Sequence, residues 1–289
     1  MAKNEQVHLT ECPRDAMQGL QSFIPTEEKI HYLNTLLQAG FDVLDFGSFV
    51  SPKAVPQMAD TAEVLAGLEV SRSPTQLLAI VLNERGARDA LSHPAIATLG
   101  YPYSISETFQ ERNAGKSIQQ SFEILQRIAE LAQRAGRNLR VYISMGFGNP
   151  YGDPWNAELV AEAVQKIARL GVREFALADT AAVATPDSVE SIFRSLRSNF
   201  DDLDIGAHFH VHPSNWESIV AAAWAGGCRR FDTAMLGYGG CPFAKAELTG
   251  NLATEHLLDW LRTQEAVTST DPFGVENAQS VAQNLFARH

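Results

Sequence analysis

The 289-residue chain is 45% apolar and 20% charged, a balance that supports a sizeable folded core and excludes a disordered chain. A formal net charge of -11, with no long run of Lys or Arg, sets the overall field against nucleic-acid backbones and anionic membrane surfaces, so neither is expected as a partner. Three scattered cysteines (Cys12, Cys228, Cys241) exclude a secreted disulfide framework and a Cys-x-x-Cys zinc module. With no apolar signal region at the start and no stretch near the roughly 18 apolar residues of a spanning helix, a cytoplasmic protein is the expectation.

Residues 7–11 alternate as a short strand that runs into Cys12-Pro13-Arg14-Asp15. After Pro25, Thr26 is placed to cap a helix whose apolar positions Ile30, Leu33, Leu36 and Leu37 recur at the helical period and which Gly40 stops. Residues 41–46 form a second strand, 77–82 a third, and Glu84–Leu91 the helix after it. Residues 96–99 open a fourth unit. Its long helix carries the stripe Ile118, Phe122, Leu125, Ile128, Ala129, Leu131 and Ala132, punctuated by Gly136. A fifth strand spans 139–145, followed by the Gly/Pro-rich loop 146–154.

A helix starting at Asn156 or Ala157 leads to the sixth strand, Glu174–Asp179, which ends in an acid. Thr185-Pro186 opens the next helix with cap and N1 proline in the favoured order. Residues 204–210 are the seventh strand, Trp216–Ala225 an Ala-rich helix, 229–234 the eighth strand, and a glycine-rich loop follows through Pro242. Eight strand-helix alternations without a break in composition predict a (β/α)8 TIM barrel, one domain across 1–289. A doubly wound open sheet would show Gly-x-Gly-x-x-Gly after its first strand, where Arg14-Asp15 stands instead. Residues 271–289 lie beyond the eighth unit as a C-terminal extension, an extra helix packing on the barrel or on a neighbouring subunit.

In a barrel, residues just after the strand ends gather at one mouth. That rule collects Arg14, Asp15, Asp45, Ser48, Ser106, Glu107, Asn149, Asp179, Thr180, His208, His210, Cys241 and Asn251. Alternate side chains of a strand share a face, so His208 and His210 present two imidazoles together. An isolated His-x-His is more often a hydrogen-bonded core pair, and Asp15 alone serves as readily as a partner of Arg14. Gathered at one mouth, these residues form a mixed nitrogen and oxygen shell suited to Mn²⁺, Mg²⁺, Co²⁺ or Zn²⁺. The same set could hold Fe²⁺ in an oxygenase, or serve a non-catalytic metal-binding barrel. A cation would repel Arg14, which directs the guanidinium to an anionic substrate oxygen. Cys241, in Gly239-Gly240-Cys241-Pro242, is either an acid or nucleophile on a mobile loop or a packing residue beneath it, while Cys12 and Cys228 are expected to pack in the interior.

Arg14-Asp15, Gly47-Ser48-Phe49-Val50-Ser51-Pro52-Lys53 continuing to Met58, His208-x-His210, Gly239-Gly240-Cys241-Pro242 and Thr249-Gly250-Asn251 continuing to Glu255 together resemble the 3-hydroxy-3-methylglutaryl-CoA lyases. These are metal-dependent lyases of the DRE-TIM branch, and the resemblance runs in order from about residue 7 to 262. The Ser-Phe-Val-Ser-Pro-Lys and Gly-Gly-Cys-Pro segments are specific to them; His-x-His is not. The resemblance implies a divalent cation, Mg²⁺ or Mn²⁺, held by Asp15, His208, His210 and Asn251, with Arg14 facing the thioester oxygen and Cys241 as the lid cysteine. Asp45 and Asp179 are further catalytic candidates, and Gln18, Ser48, Asn149 and Thr180 candidate substrate contacts. The implied reaction is a retro-Claisen cleavage of 3-hydroxy-3-methylglutaryl-CoA to acetyl-CoA and acetoacetate by a homodimer.

The chain departs from the family with Asp45 in place of Glu, Ala16-Met17-Gln18 in place of Gly-Leu-Gln, Val211-His212 in place of Asp-Thr, and one extra residue between Cys241 and Asn251. The shorter Asp45 opens a different 3-hydroxy-acyl-CoA as the alternative substrate. His212 is read as a rim residue, and Lys53 and Lys245 as cations to meet the phosphates of CoA.

Overall fold

The computed structural model describes residues 5–240 and 249–289, so Cys241 and Lys245 lie outside the described residues. In chain order the elements are β1 (His8–Glu11), α1 (Pro13–Gln18), α2 (Thr26–Gln38), β2 (Val43–Ser48), α3 (Thr61–Ala66), β3 (Gln76–Ile80), α4 (Glu84–Leu91) and β4 (Ile96–Ser104). Then come α5 (Glu107–Ala114), α6 (Ile118–Arg134), β5 (Asn138–Ser144), α7 (Ala157–Ala168), β6 (Glu174–Asp179), α8 (Pro186–Asn199) and β7 (Asp204–Val211). The chain ends with α9 (Trp216–Ala225), β8 (Arg230–Thr233), β9 (Gly250–Asn251), α10 (Thr254–Thr263) and α11 (Pro272–Phe286).

β1 to β8 pair in parallel with their sequence neighbours, and β8 pairs with β1, which closes the ring into a TIM barrel. Strands in such a ring are buried on both faces and therefore read as apolar runs: Leu77, Leu78, Ala79 and Ile80 of β3 are all buried. Short polar side chains start the helices. Asn83, Ser106, Ser117, Asn156, Thr185 and Asp271 each accept a backbone N–H of the first turn, and Ser117–Gln120 and Thr185–Ser188 complete capping boxes.

Thr26 does not cap α2. Pro25 takes that position, and the Thr26 hydroxyl donates to Asp60 Oδ2 at 2.8 Å. β4 runs to Ser104, five residues beyond the apolar start that marks it, because Gly100 and Pro102 interrupt the pattern. Gly100 is there for space, since a Cβ would fall 2.6 Å from Ile80 Cδ1 and 3.3 Å from Tyr142 inside the barrel.

The mouth is tied together by buried polar anchors. Gln57 accepts from Ile24 N–H and donates to Ser22 O, and the Lys29 ammonium is buried against Asp60 Oδ1 at 2.7 Å and Gln57 O. The C-terminal extension packs on the barrel's own α2: Phe286 of α11 meets Tyr32 edge-on and stacks on Tyr238 at 4.2 Å between ring centroids.

Candidate active site

Each group at the mouth is aimed by the element that carries it. β1 ends at Glu11 and the chain turns at once into α1, whose single turn places Arg14, Asp15 and Gln18 on one side. Gln18 Nε2 donates to Asp15 Oδ1 at 2.9 Å, and Arg14 Nη1 donates to the same oxygen at 2.9 Å and to Gln18 Oε1 at 3.0 Å. The other edge of the guanidinium forks onto Asp45 of β2, with Nε 3.1 Å and Nη2 2.5 Å from Oδ2. Arg14 therefore bridges two carboxylates and pairs directly with Asp15, the partnership the sequence offered beside its use toward substrate. Burial opposes the charge on Asp15, but Arg14 and the two histidines outweigh it and hold this carboxyl well below its ordinary range.

Alternation along β7 brings His208 and His210 to the same side, with ring centroids 5.3 Å apart. His208 Nδ1 lies 3.3 Å from Asp232 Oδ2 of β8, and His210 Nδ1 lies 3.2 Å from the Thr180 carbonyl. With both Nδ1 atoms engaged, the Nε2 lone pairs remain for a ligand. His210 Nε2 is buried without a hydrogen-bond partner and sits 3.8 Å from Asp15 Oδ2. Donor atoms of Asp15, His208 and His210 all fall within 4.8 Å of one another.

β9 runs antiparallel to β7 with Asn251 opposite His210, and Asn251 Nδ2 donates to Asp15 Oδ2 at 2.7 Å and to Tyr238 O at 2.9 Å. Asn251 therefore presents its amide nitrogen to Asp15. Gly239 permits this approach: it has φ +94°, and a Cβ there would fall 2.6 Å from Asn251 Nδ2 and 2.7 Å from the Asp15 carbonyl. A buried, unsatisfied imidazole nitrogen beside an anionic carboxylate is what a divalent cation would complete, so the donor set fits one.

A cavity of about 270 Å³ opens over these groups. Its lining combines the polar Arg14, Asp15, Gln18, Ser48, Thr180, His208 and His210 with the apolar Val50, Val55, Ile80, Leu82 and Pro102 and the ring of Tyr142. Four expected site residues do not line this cavity, Asn251 among them. Asp45 lies behind Arg14, fully buried. Both Asp179 oxygens accept backbone N–H groups of its own loop, from Val183 and Ala184 at 3.0 Å. Asn149 accepts from Tyr151 and Asp153 N–H and donates to Asp153 O, closing the 149–153 turn. Ser106 caps α5 and donates to Asp153, and Glu107 accepts from Ile118 N–H. His212 is exposed at the rim against Ser214, and Lys53 is exposed. Sequence reasoning passed over Asp232 and Arg140, both buried inside the barrel; the available signal was a charged residue at an inward position of a mostly apolar strand.

A TIM barrel with an Asp/His/His set that could hold a divalent cation, gathered at the mouth where this fold does its chemistry, defines the class. The chain belongs to the HMGL-like family, which matches residues 8–281. It is 32% identical over 257 residues to the hydroxymethylglutaryl-CoA lyase YngG of Bacillus subtilis, covering 89% of this chain and 85% of that one. It is 33% identical over 275 residues to the 3-hydroxy-3-isohexenylglutaryl-CoA/hydroxy-methylglutaryl-CoA lyase of Pseudomonas aeruginosa, covering 95% and 91%. Among solved structures, an HMG-CoA lyase from Acinetobacter baumannii in complex with coenzyme A and 3-methylmalate superposes with a TM-score of 0.91 at 30% identity, covering 99% of this chain and 93% of that one.

Proposed function

We propose that this chain is a carbon–carbon lyase that cleaves 3-hydroxy-3-methylglutaryl-CoA to acetyl-CoA and acetoacetate, with a divalent cation, Mg²⁺ or Mn²⁺, held by Asp15, His208, His210 and Asn251. The observation that carries the reading is the unsatisfied His210 Nε2 grouped with Asp15 and His208 beside the Arg14 fork. Relatives bearing that activity in their names align over most of both chains, and the coenzyme A bound in the Acinetobacter protein supports an acyl-CoA substrate here. The same residues read as an iron oxygenase or a non-catalytic barrel lose their ground to the family assignment.

When bound, the cation supplies Lewis-acid polarisation of the substrate oxygens. The chain's own part begins with Arg14. Its Nε, both N–H bonds of Nη1 and one of Nη2 are committed to Asp45, Asp15 and Gln18, which leaves one N–H of Nη2 for the thioester oxygen. As the tertiary hydroxyl gives up its proton to water in the cavity and becomes the ketone of acetoacetate, the bond between C2 and C3 breaks and its electron pair passes into the thioester enolate. Arg14 stabilises the enolate oxygen, and Asp45 holds the guanidinium rigid while it does so. Cys241 is our assigned donor of the proton that C2 takes up. Gln18, Ser48 and Thr180 line the space for the acyl group. Asp179 and Asn149 act in holding their loops, and a cytoplasmic homodimer completes the proposal.

The apolar lining of Val50, Ile80, Leu82 and Pro102 favours a second, related reading, in which a longer alkyl group at C3 is accepted. Metal-stripped protein given Mg²⁺ or Mn²⁺ is expected to release acetyl-CoA and acetoacetate from 3-hydroxy-3-methylglutaryl-CoA. No product with either metal overturns the assignment. Higher kcat/KM on a longer 3-alkyl homologue would select the second reading.

A further inference from the structure

Below the candidate metal centre a second trio comes together: Cys12, His208 and Asp232 also bring donor atoms within 4.8 Å of one another. It is not a second cation site. Asp232 Oδ1 lies 3.6 Å from Nη1 of Arg140, a side chain with no exposed surface, so a fixed positive charge already stands there. That guanidinium is held from three sides of the barrel. Its Nη1 donates to Thr10 Oγ1 of β1 at 2.7 Å, its Nε and Nη2 lie 3.3 Å from Glu174 Oε2 of β6, and Asp232 approaches from β8. The other oxygen of Asp232 faces His208 Nδ1 at 3.3 Å.

We propose that Arg140 and Asp232 are positioning residues for the metal centre: Arg140 fixes Asp232, and Asp232 fixes His208 as the tautomer that carries its proton on Nδ1 and offers Nε2 to the cation. The proposal rests on reading Asp15, His208 and His210 as the metal centre. Three physical points support it. First, an imidazole is a ligand only through an unprotonated nitrogen, and the hydrogen bond at the other nitrogen decides which one that is. Second, a carboxylate partner makes the ring a stronger donor than an amide partner would, and the buried Arg140 guanidinium, 3.6 Å from Asp232 Oδ1, supplies the counter-charge that keeps Asp232 in place as that partner. Third, the Tyr142 ring stands edge-on to His208 at 5.7 Å and 84°, which resists rotation of the imidazole away from Asp232. Arg140 thus acts through Asp232 from the lower layer of the barrel, without touching the reacting atoms.

The test is made on the full chain with Mn²⁺ and Co²⁺ as probes. Asp232→Asn keeps the shape and removes the charge. We expect it to unfold cooperatively, to bind Mn²⁺ about 10- to 100-fold more weakly than the native protein, and to shift the visible absorption bands of bound Co²⁺. Arg140→Lys, which keeps the charge but loses the three-sided grip, is expected to lie between the two. Native Mn²⁺ affinity and an unchanged Co²⁺ spectrum in Asp232→Asn overturn the proposal. Should that variant not fold, ¹⁵N NMR of the histidines in the metal-free native protein decides: His208 protonated on Nε2 overturns it, and on Nδ1 supports it. If the native protein binds neither ion, the metal-centre reading fails by itself, and the NMR result still judges the Arg140–Asp232 pair separately.

Discussion

Four of the five N–H bonds of Arg14 are spent on Asp45, Asp15 and Gln18, and that geometry can be tested directly. Lysine carries the same charge as a single point and cannot hold two carboxylates, an amide and a substrate oxygen at once. Arg14→Lys is expected to lower kcat about 10²- to 10³-fold, the scale of losing one donor to a developing oxyanion, with KM changed much less. A variant within threefold of native kcat would remove Arg14 from the chemistry. This residue, like Asp15, His208 and His210, was legible because strand ends and the two-residue period place such side chains without knowledge of the whole fold. Asp179 and Asn149 were not. A polar side chain beside a tight loop satisfies its own backbone first, and no pattern along the chain distinguishes that use from facing a cavity. Asp232 and Arg140 were hidden for another reason, since their meaning lies in pairing between β5 and β8, which are far apart in sequence.

At the scale of elements, the carboxylate of Glu11 joins three of them. It ends β1 and accepts from Met235 N–H at 2.7 Å, from Thr233 Oγ1 of β8 at 3.2 Å and from Thr254 Oγ1 at the start of α10 at 2.6 Å. Burial outweighs these donors and pushes its pKa up to about 8. A carboxyl raised on folding binds its proton more tightly in the folded state. Its contribution to stability is therefore complete below the unfolded value near 4.5 and is lost as pH rises through about 8. The melting temperature of the native protein is expected to fall between pH 5 and pH 9, and Glu11→Gln, which cannot ionise, should flatten that slope. Equal slopes in the two proteins would show that Glu11 is charged throughout. Among the elements themselves, capped and periodic helices such as α4 and α6 were readable to within a few residues. The single turns α1 and α3 are too short to show a period, and β4 was truncated by a glycine whose purpose is to make room across the barrel.

For the molecule as a whole, a net charge of -11 meets a substrate that carries phosphates. Arg14 at the mouth is already matched by Asp15 and Asp45, so long-range repulsion is expected to oppose encounter. Raising ionic strength from about 0.01 to about 0.15 M shortens the screening length from about 30 to about 8 Å, and KM should fall accordingly. A KM that rises with salt would instead reveal a basic patch that guides the thioester in. The alternation of strand and helix revealed the barrel, but nothing local in the chain foretold β9, whose antiparallel pairing depends on β7 being in place. That short strand has a consequence for how such an enzyme can change. Asn251 is locked to His210 by sheet pairing, and on the other side Gly239 seats against Asp15. Residues 241–248 are thus bracketed by two anchors that belong to the metal site and not to the segment between them. Because both anchors lie outside it, a change of sequence at residues 242–248 is expected to leave the pairing of Asn251 with His210 intact.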